Sequence, residues 1–112
     1  MSAPSTLLTN VENLLAQGKD GPLLRFALGN EHLKAGDAAR AAEHLVRATA
    51  LDPDYTAAWK LLGRALTEAG RGHDALAAYA KGIEAAVRRG DKQAQKEMQV
   101  FVRRLERAQG DA

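Results

Sequence analysis

Three kinds of side chain in this 112-residue chain could do chemistry: three histidines, 14 carboxylates and 16 lysines or arginines. Two histidines on a helix share a metal when they are spaced i, i+4, because both rings then face one side. His32, His44 and His73 are far apart and have no such spacing, so neither a metal nor another cofactor is expected. His32 is expected in the core or at its edge, and His44 and His73 on the surface. Catalysis needs an acid, a base and a nucleophile in one place, and the carboxylates form no such grouping. Gly70-Arg71-Gly72 resembles a turn and lacks the context of a phosphate-cradling loop. The chain is therefore read as non-enzymatic.

What remains is recognition by charge. Lys60 and Arg64 lie one helical turn apart and can make charge-assisted hydrogen bonds to an acidic segment or a C-terminal carboxylate. Near the C-terminus Arg88, Arg89, Lys92, Lys96, Arg103, Arg104 and Arg107 outnumber Glu84, Asp91, Glu97 and Glu106. Phosphates would bind such a cluster. The acids interleave with the bases, however, so a solvated face is expected and nucleic acid is not the expected partner. A net charge of +2 is too mild to argue otherwise.

These residues must be positioned by helices. Ser5 or Thr6 can cap a first helix reaching about Gln17, with Leu7, Val11, Leu14 and Leu15 on one stripe. The preceding residues 1–4 are expected to fray. Gly18 ends this helix, and Pro22 starts a second at the position where a missing N–H costs nothing. Leu24, Leu28 and His32 share its inner face, and Gly36 stops it in left-handed geometry. Asp37 caps a third helix to about Leu51, facing inward with Ala41, Leu45 and Ala48, and Asp52-Pro53-Asp54 breaks it. A fourth spans roughly Tyr55 to Ala69, with Trp59, Leu62 and Leu66 inward, and Gly70 ends it. A fifth starts at Gly72, with Ala75, Tyr79 and Ile83 inward. Val87 stands where Pro53 would recur, so this helix is expected to overrun to Gly90. Asp91 caps a sixth to about Gln109, its apolar stripe being Ala94, Met98, Phe101, Leu105 and Ala108.

The chain also repeats itself. Leu28-Gly29 returns 34 positions later as Leu62-Gly63, Gly36 as Gly70, Ala41 as Ala75, Leu45 as Tyr79 and Ala48 as Gly82. A period of that length marks stacked helical hairpins, each burying its face against its neighbours. Glycine inside a helix costs about 1 kcal/mol against alanine, so Gly29, Gly63 and Gly82 call for a close packing contact. Leu45 and Tyr79 are expected to fill the gap to the next unit. Leu7, Val11 and Leu14 precede Ala41, Leu45 and Ala48 by the same interval, so the first helix reads as the second half of a worn repeat.

The two copies resemble tetratricopeptide repeats. The second carries the pattern in Trp59, Leu62-Gly63, Ala75, Tyr79 and Gly82. The first carries it in Leu28-Gly29, Ala41, Leu45, Ala48 and Pro53, and departs from it at Arg25 and His32. The resemblance implies an all-α fold of antiparallel hairpins stacked as a short right-handed superhelix. Residues 5–18 form the N-terminal helix, 22–55 and 56–89 the two repeats and 91–109 a capping helix, all within one domain, 1–112. It also implies that the first helices of the repeats line a concave groove for a peptide or a partner helix. Phe26, Asn30, Leu33 and Lys34 then lie on that surface, joined by Lys60, Arg64, Thr67 and Glu68. Phe26 is either an exposed anchor there or packed under the first helix. The two-carboxylate clamp that some family members use for chaperone tails is not expected. Only Asn30 matches it, Phe26 and Leu61 replace its Lys and second Asn, and a third repeat is missing.

The expected function is a protein-binding scaffold or adaptor whose partner is another protein or peptide. Two alternatives are self-association through the helix bearing Leu7 to Leu15, giving a homo-oligomer, and binding of an anionic polymer by the last helix. Met1 to Leu15 lacks the basic start and long apolar stretch of a secretory signal. No run approaches the ~18 apolar residues of a membrane span, and there is no cysteine. A cytoplasmic protein, away from membranes, is expected.

Overall fold

The computed structural model describes residues 6–110. Among these it has six helices: α1 (Thr6–Ala16), α2 (Pro22–Lys34), α3 (Ala38–Leu51), α4 (Thr56–Glu68), α5 (Gly72–Arg89) and α6 (Lys92–Ala108). Ser5, the alternative cap of α1, and the end expected to fray lie outside the described residues. The local signals act as their chemistry dictates. The Asp37 carboxylate accepts a hydrogen bond from the Arg40 amide at 3.1 Å, and Asp91 accepts one from Ala94 at 3.0 Å. Gly36 and Gly70 take φ of +82° and +76°, a conformation that costs glycine least. Beyond each the chain folds back, Asp37 donating to the His32 carbonyl and Arg71 to the Leu66 carbonyl. Without a proline at position 87, α5 runs 18 residues against 14 for α3.

The helices stack in chain order, each packing against the next, with α2 also touching α4 and α4 touching α6. Leu28, Leu45 and Met98 are fully buried. One cluster joins Leu33, Leu45, Leu62, Leu66, Tyr79, Met98 and Leu105 through small residues that let the axes approach, among them Ala41, Ala65, Ala75 and Ala86. The helical glycines mark the tightest approaches. A Cβ on Gly29 would lie 2.5 Å from the Leu45 side chain, and one on Gly63 would overlap the Tyr79 ring. Leu45 and Tyr79 thus cover the glycine of their own hairpin, a closer role than filling the gap to the next unit. Gly82 makes the same room for Met98 of α6 and Trp59 of α4.

The loop before α4 is tied down from two sides. The Trp59 indole donates to the Pro53 carbonyl at 2.8 Å. Arg88, near the end of the overrun α5, donates to the Asp54 carboxylate at 2.8 Å. The overrun therefore has a structural use, and it removes Arg88 from the free basic face that the sequence suggested.

Candidate functional site

Helices α2, α4 and α6 turn one face each to a shared groove of about 730 Å³. Phe26 and Asn30 of α2, Lys60, Arg64 and Thr67 of α4, and Glu97, Phe101 and Arg104 of α6 all line it. Within each set the spacing is three or four residues, which places the side chains on one helix face. Glu68, Leu61, Tyr79, Leu105, Ala57 and Ala108 complete the lining.

The base of the groove is aromatic and aliphatic. The Phe26 ring lies 5.1 Å from that of Tyr55, and the Tyr79 ring 5.5 Å from that of Phe101. Phe26 is half-buried against the core, and its aromatic neighbour belongs to the approach to α4. It both packs and lines the groove. Tyr79 is buried, which pushes its phenol pKa up, with a hydrogen bond to Thr67 acting the other way. Such a tyrosine stays a neutral phenol across the physiological range.

The edge of the groove is charged, and most of the charge is paired. Lys60 Nζ meets Glu97 Oε2 at 2.8 Å, joining α4 to α6. The hydrogen bonds from Lys60 and then Gln93 hold the Glu97 carboxyl below its ordinary value. Arg64 Nε lies 3.3 Å from Glu68 Oε1, one turn further along α4. Arg104 differs. Its guanidinium lies over the Phe101 ring, 5.9 Å from the centroid, and among the described residues no ion pair engages it. A planar cation held on an aromatic face keeps its N–H fork free for a carboxylate.

Of the eight residues expected on this surface, Phe26, Asn30, Lys60, Arg64, Thr67 and Glu68 come together in the groove. Leu33 does not: it is buried in the core cluster, because α2 turns that face toward α3 and α4. Lys34 is exposed outside the groove and pairs with Glu31 at 3.4 Å. Sequence reasoning missed Glu97, Phe101 and Arg104, having treated α6 as a cap whose charged side is merely solvated. A signal for them exists. Shifting α4 by 36 positions, the interval between Thr56 and Lys92, lays the buried Ala58 and Leu62 on the buried Ala94 and Met98. The same shift carries Leu61 and Glu68, which line the groove, onto Glu97 and Arg104. The two extra positions come from the overrun of α5 and hide α6 from a strict period of 34.

One histidine differs from expectation. His32 is buried and His73 exposed, as expected, but His44 is half-buried rather than on the surface. It stacks on His32, with centroids 5.3 Å apart and planes 6° from parallel. Arg25 Nη1 lies 3.1 Å from His44 Nδ1 and is itself held by Asp20 at 2.8 Å. The pair lies between α2 and α3, away from the groove. Among the described residues no group of three His, Asp or Glu side chains is placed to hold a metal, and no helix is long and apolar enough to cross a membrane.

Comparison with known proteins agrees with this fold. The family model described as tetratricopeptide repeat matches residues 26–94. A TPR repeat-containing protein of Pseudomonas aeruginosa is 52% identical over 102 residues, which is 91% of this chain and 97% of that protein. A protein of Bordetella parapertussis solved in solution is 42% identical, with a TM-score of 0.78 over 96% of this chain and 91% of that one. A tetratricopeptide repeat domain protein of Salinibacter ruber is 34% identical, with a TM-score of 0.71 over 78% of this chain and 88% of that one.

Proposed function

The chain belongs to the tetratricopeptide-repeat family, and on that premise we propose that it is a cytoplasmic, non-enzymatic adaptor that grips a short segment of another protein in the α2–α4–α6 groove. The ligand segment carries an apolar or aromatic side chain next to a carboxylate. The apolar side chain rests over Leu61, between Phe26 and Phe101. The carboxylate reaches Arg104, with Arg64 and Lys60 beside it. The observation that carries this reading is the free guanidinium of Arg104 stacked at the edge of an aromatic groove. Burial of the apolar side chain supplies most of the affinity, at roughly 25 cal/mol per Å² of area removed from water. The charge-assisted hydrogen bond fixes the direction of the segment.

The test is titration calorimetry with a panel of short peptides. Each has one Phe or Leu and ends in either a free carboxylate or an amide. The free-acid peptides are expected to bind the wild-type protein, the amides to bind at least tenfold more weakly, and Arg104→Glu to abolish the difference. Equal binding of acid and amide, or equal binding by wild type and Arg104→Glu, would overturn the assignment. A strong fall in affinity with salt, independent of the apolar residue, would point instead to an anionic polymer.

A further inference from the structure

The two ends of the stack are finished differently. At one end α6 packs on α5 and α4 and turns Lys92, Gln93, Lys96, Arg103 and Arg107 to solvent. At the other end α1 packs only on α2 and leaves large apolar side chains in water: Leu7 is 53% exposed, Leu14 38% and the neighbouring Leu23 73%. The repeat explains why. Leu7 and Leu14 precede Ala41 and Ala48 by 34 positions, and those alanines are 0% exposed. In α3 these positions are closed because a helix lies on either side, α2 and α4. Among the described residues α1 has only one such neighbour, α2, and lacks the second.

We propose that the missing helix is α1 of a second copy, related by a two-fold axis and running antiparallel. Three features favour this occupant. In the hairpins the helix that covers such a face runs antiparallel to it, and a two-fold axis perpendicular to α1 produces that arrangement from identical chains. Leu7 and Leu14 are seven residues, or about 10 Å, apart on one face. Antiparallel pairing centred near Val11 therefore sets Leu7 of each copy opposite Leu14 of the other. A recess of about 360 Å³ opens beside Leu14, walled by Pro22, Leu23 and Leu24, and receives that leucine. One face carries both the projecting side chain and its socket, as an isologous contact requires. Charge does not oppose it: Glu12 is the only ionisable side chain in α1, and of Lys19 and Asp20 at the rim of the recess, Asp20 is paired with Arg25.

One short helix and a turn bury less than the roughly 1,200–2,000 Å² of a standard interface. The dimer is therefore weak, forming at roughly 10 to 500 μM. Sedimentation across that range should show the mass rising from monomer to dimer and stopping there. Leu7→Lys/Leu14→Lys should remain monomeric while keeping the wild-type helical circular dichroism, because Leu7 is more than half exposed and Leu14 more than a third, and a lysine stem can keep the remaining contact while its ammonium reaches water. Geometry is tested by cross-linking, since the chain has no cysteine of its own. Under oxidation a mixture of Leu7→Cys and Leu14→Cys chains should form a disulfide-linked pair, while neither chain alone does so, its two sulfurs being about 10 Å apart along the axis. Monomer at every concentration would overturn the proposal. So would a dimer that survives Leu7→Lys/Leu14→Lys, or Leu7→Cys linking to itself as fully as the mixture.

Discussion

Lys60 and Glu97 are 37 residues apart and meet at 2.8 Å across the edge of the groove. Each is more than a third exposed, so the pair adds little to stability: exposed ion pairs contribute roughly 0.2–1 kcal/mol. Its consequence is for binding. Glu97 occupies the ammonium group that a ligand carboxylate would use. Glu97→Gln keeps the shape and releases Lys60. It should tighten an acidic peptide by about two- to fivefold while moving the thermal midpoint by only a few degrees. Calorimetry with the free-acid peptides, beside a thermal melt, checks both parts.

Gly63 lies directly against the Tyr79 ring in the second hairpin. Alanine is the better helix former by about 1 kcal/mol, yet Gly63→Ala should destabilise by about 1–3 kcal/mol, because its methyl overlaps the Tyr79 ring. Tyr79→Leu reproduces the leucine that the first hairpin sets against Gly29. Gly63→Ala/Tyr79→Leu should therefore lose less than the sum of the two single variants. Urea unfolding of the four proteins gives the coupling.

His44 makes stability depend on pH. Burial pushes the His44 pKa below 6.5, with His32 and Arg25 adding to the effect and Glu43 and Glu12 opposing it. A histidine depressed in the folded state binds its proton more readily when unfolded, so folding is penalised as pH falls through 6.5, the unfolded value. The penalty stops growing below the folded pKa. Melts should show a lower midpoint at pH 5 than at pH 7.5, and His44→Gln should flatten that difference. The carboxylates Asp20 and Glu97, both held low by basic partners, add a separate loss further into acid.

Most of the fold was legible because its signals are local and repeated. Gly36 and Gly70, the caps Asp37 and Asp91, and the missing proline at Val87 each fix a boundary without reference to the rest of the chain. The site was less legible, because a groove is made by helices distant in sequence. Leu33 looked like a surface residue by analogy of position and is buried, since a leucine follows the apolar side of α2. Phe101 and Arg104 looked like parts of a cap, because the extra residues of α5 shift α6 out of the period. His44 met His32 through the hairpin turn, which side-chain spacing along one helix does not reveal.

Met98 and Phe101 divide the duties of α6. Met98 is fully buried under Gly82, and Met98→Ala should cost about 2–5 kcal/mol. Phe101 is half-buried, so Phe101→Ala should cost less than the roughly 3–5 kcal/mol of a buried phenylalanine. Its greater effect should be on the groove, where it supports Arg104 and borders Tyr79. Ranked by urea unfolding, Met98→Ala should be the less stable. Ranked by peptide affinity measured well below both midpoints, Phe101→Ala should be the weaker.

Arg104 and Arg88 offer a paired control for the basic end of the chain. Both are exposed arginines on the last two helices. Arg88 is engaged with Asp54 and the Pro53 carbonyl, whereas Arg104 rests on Phe101. If charge alone drew the ligand, Arg88→Gln and Arg104→Gln would weaken it equally, since each removes one positive charge. If the guanidinium over the groove makes a directed contact, Arg104→Gln should cost tenfold or more in affinity, about 1.4 kcal/mol. Arg88→Gln should then leave affinity within about twofold and lower stability slightly by freeing the turn before α4. Arg104→Lys sharpens the test further. It keeps the charge but loses the planar fork that stacks on phenylalanine and spans a carboxylate, so it should recover only part of the lost affinity.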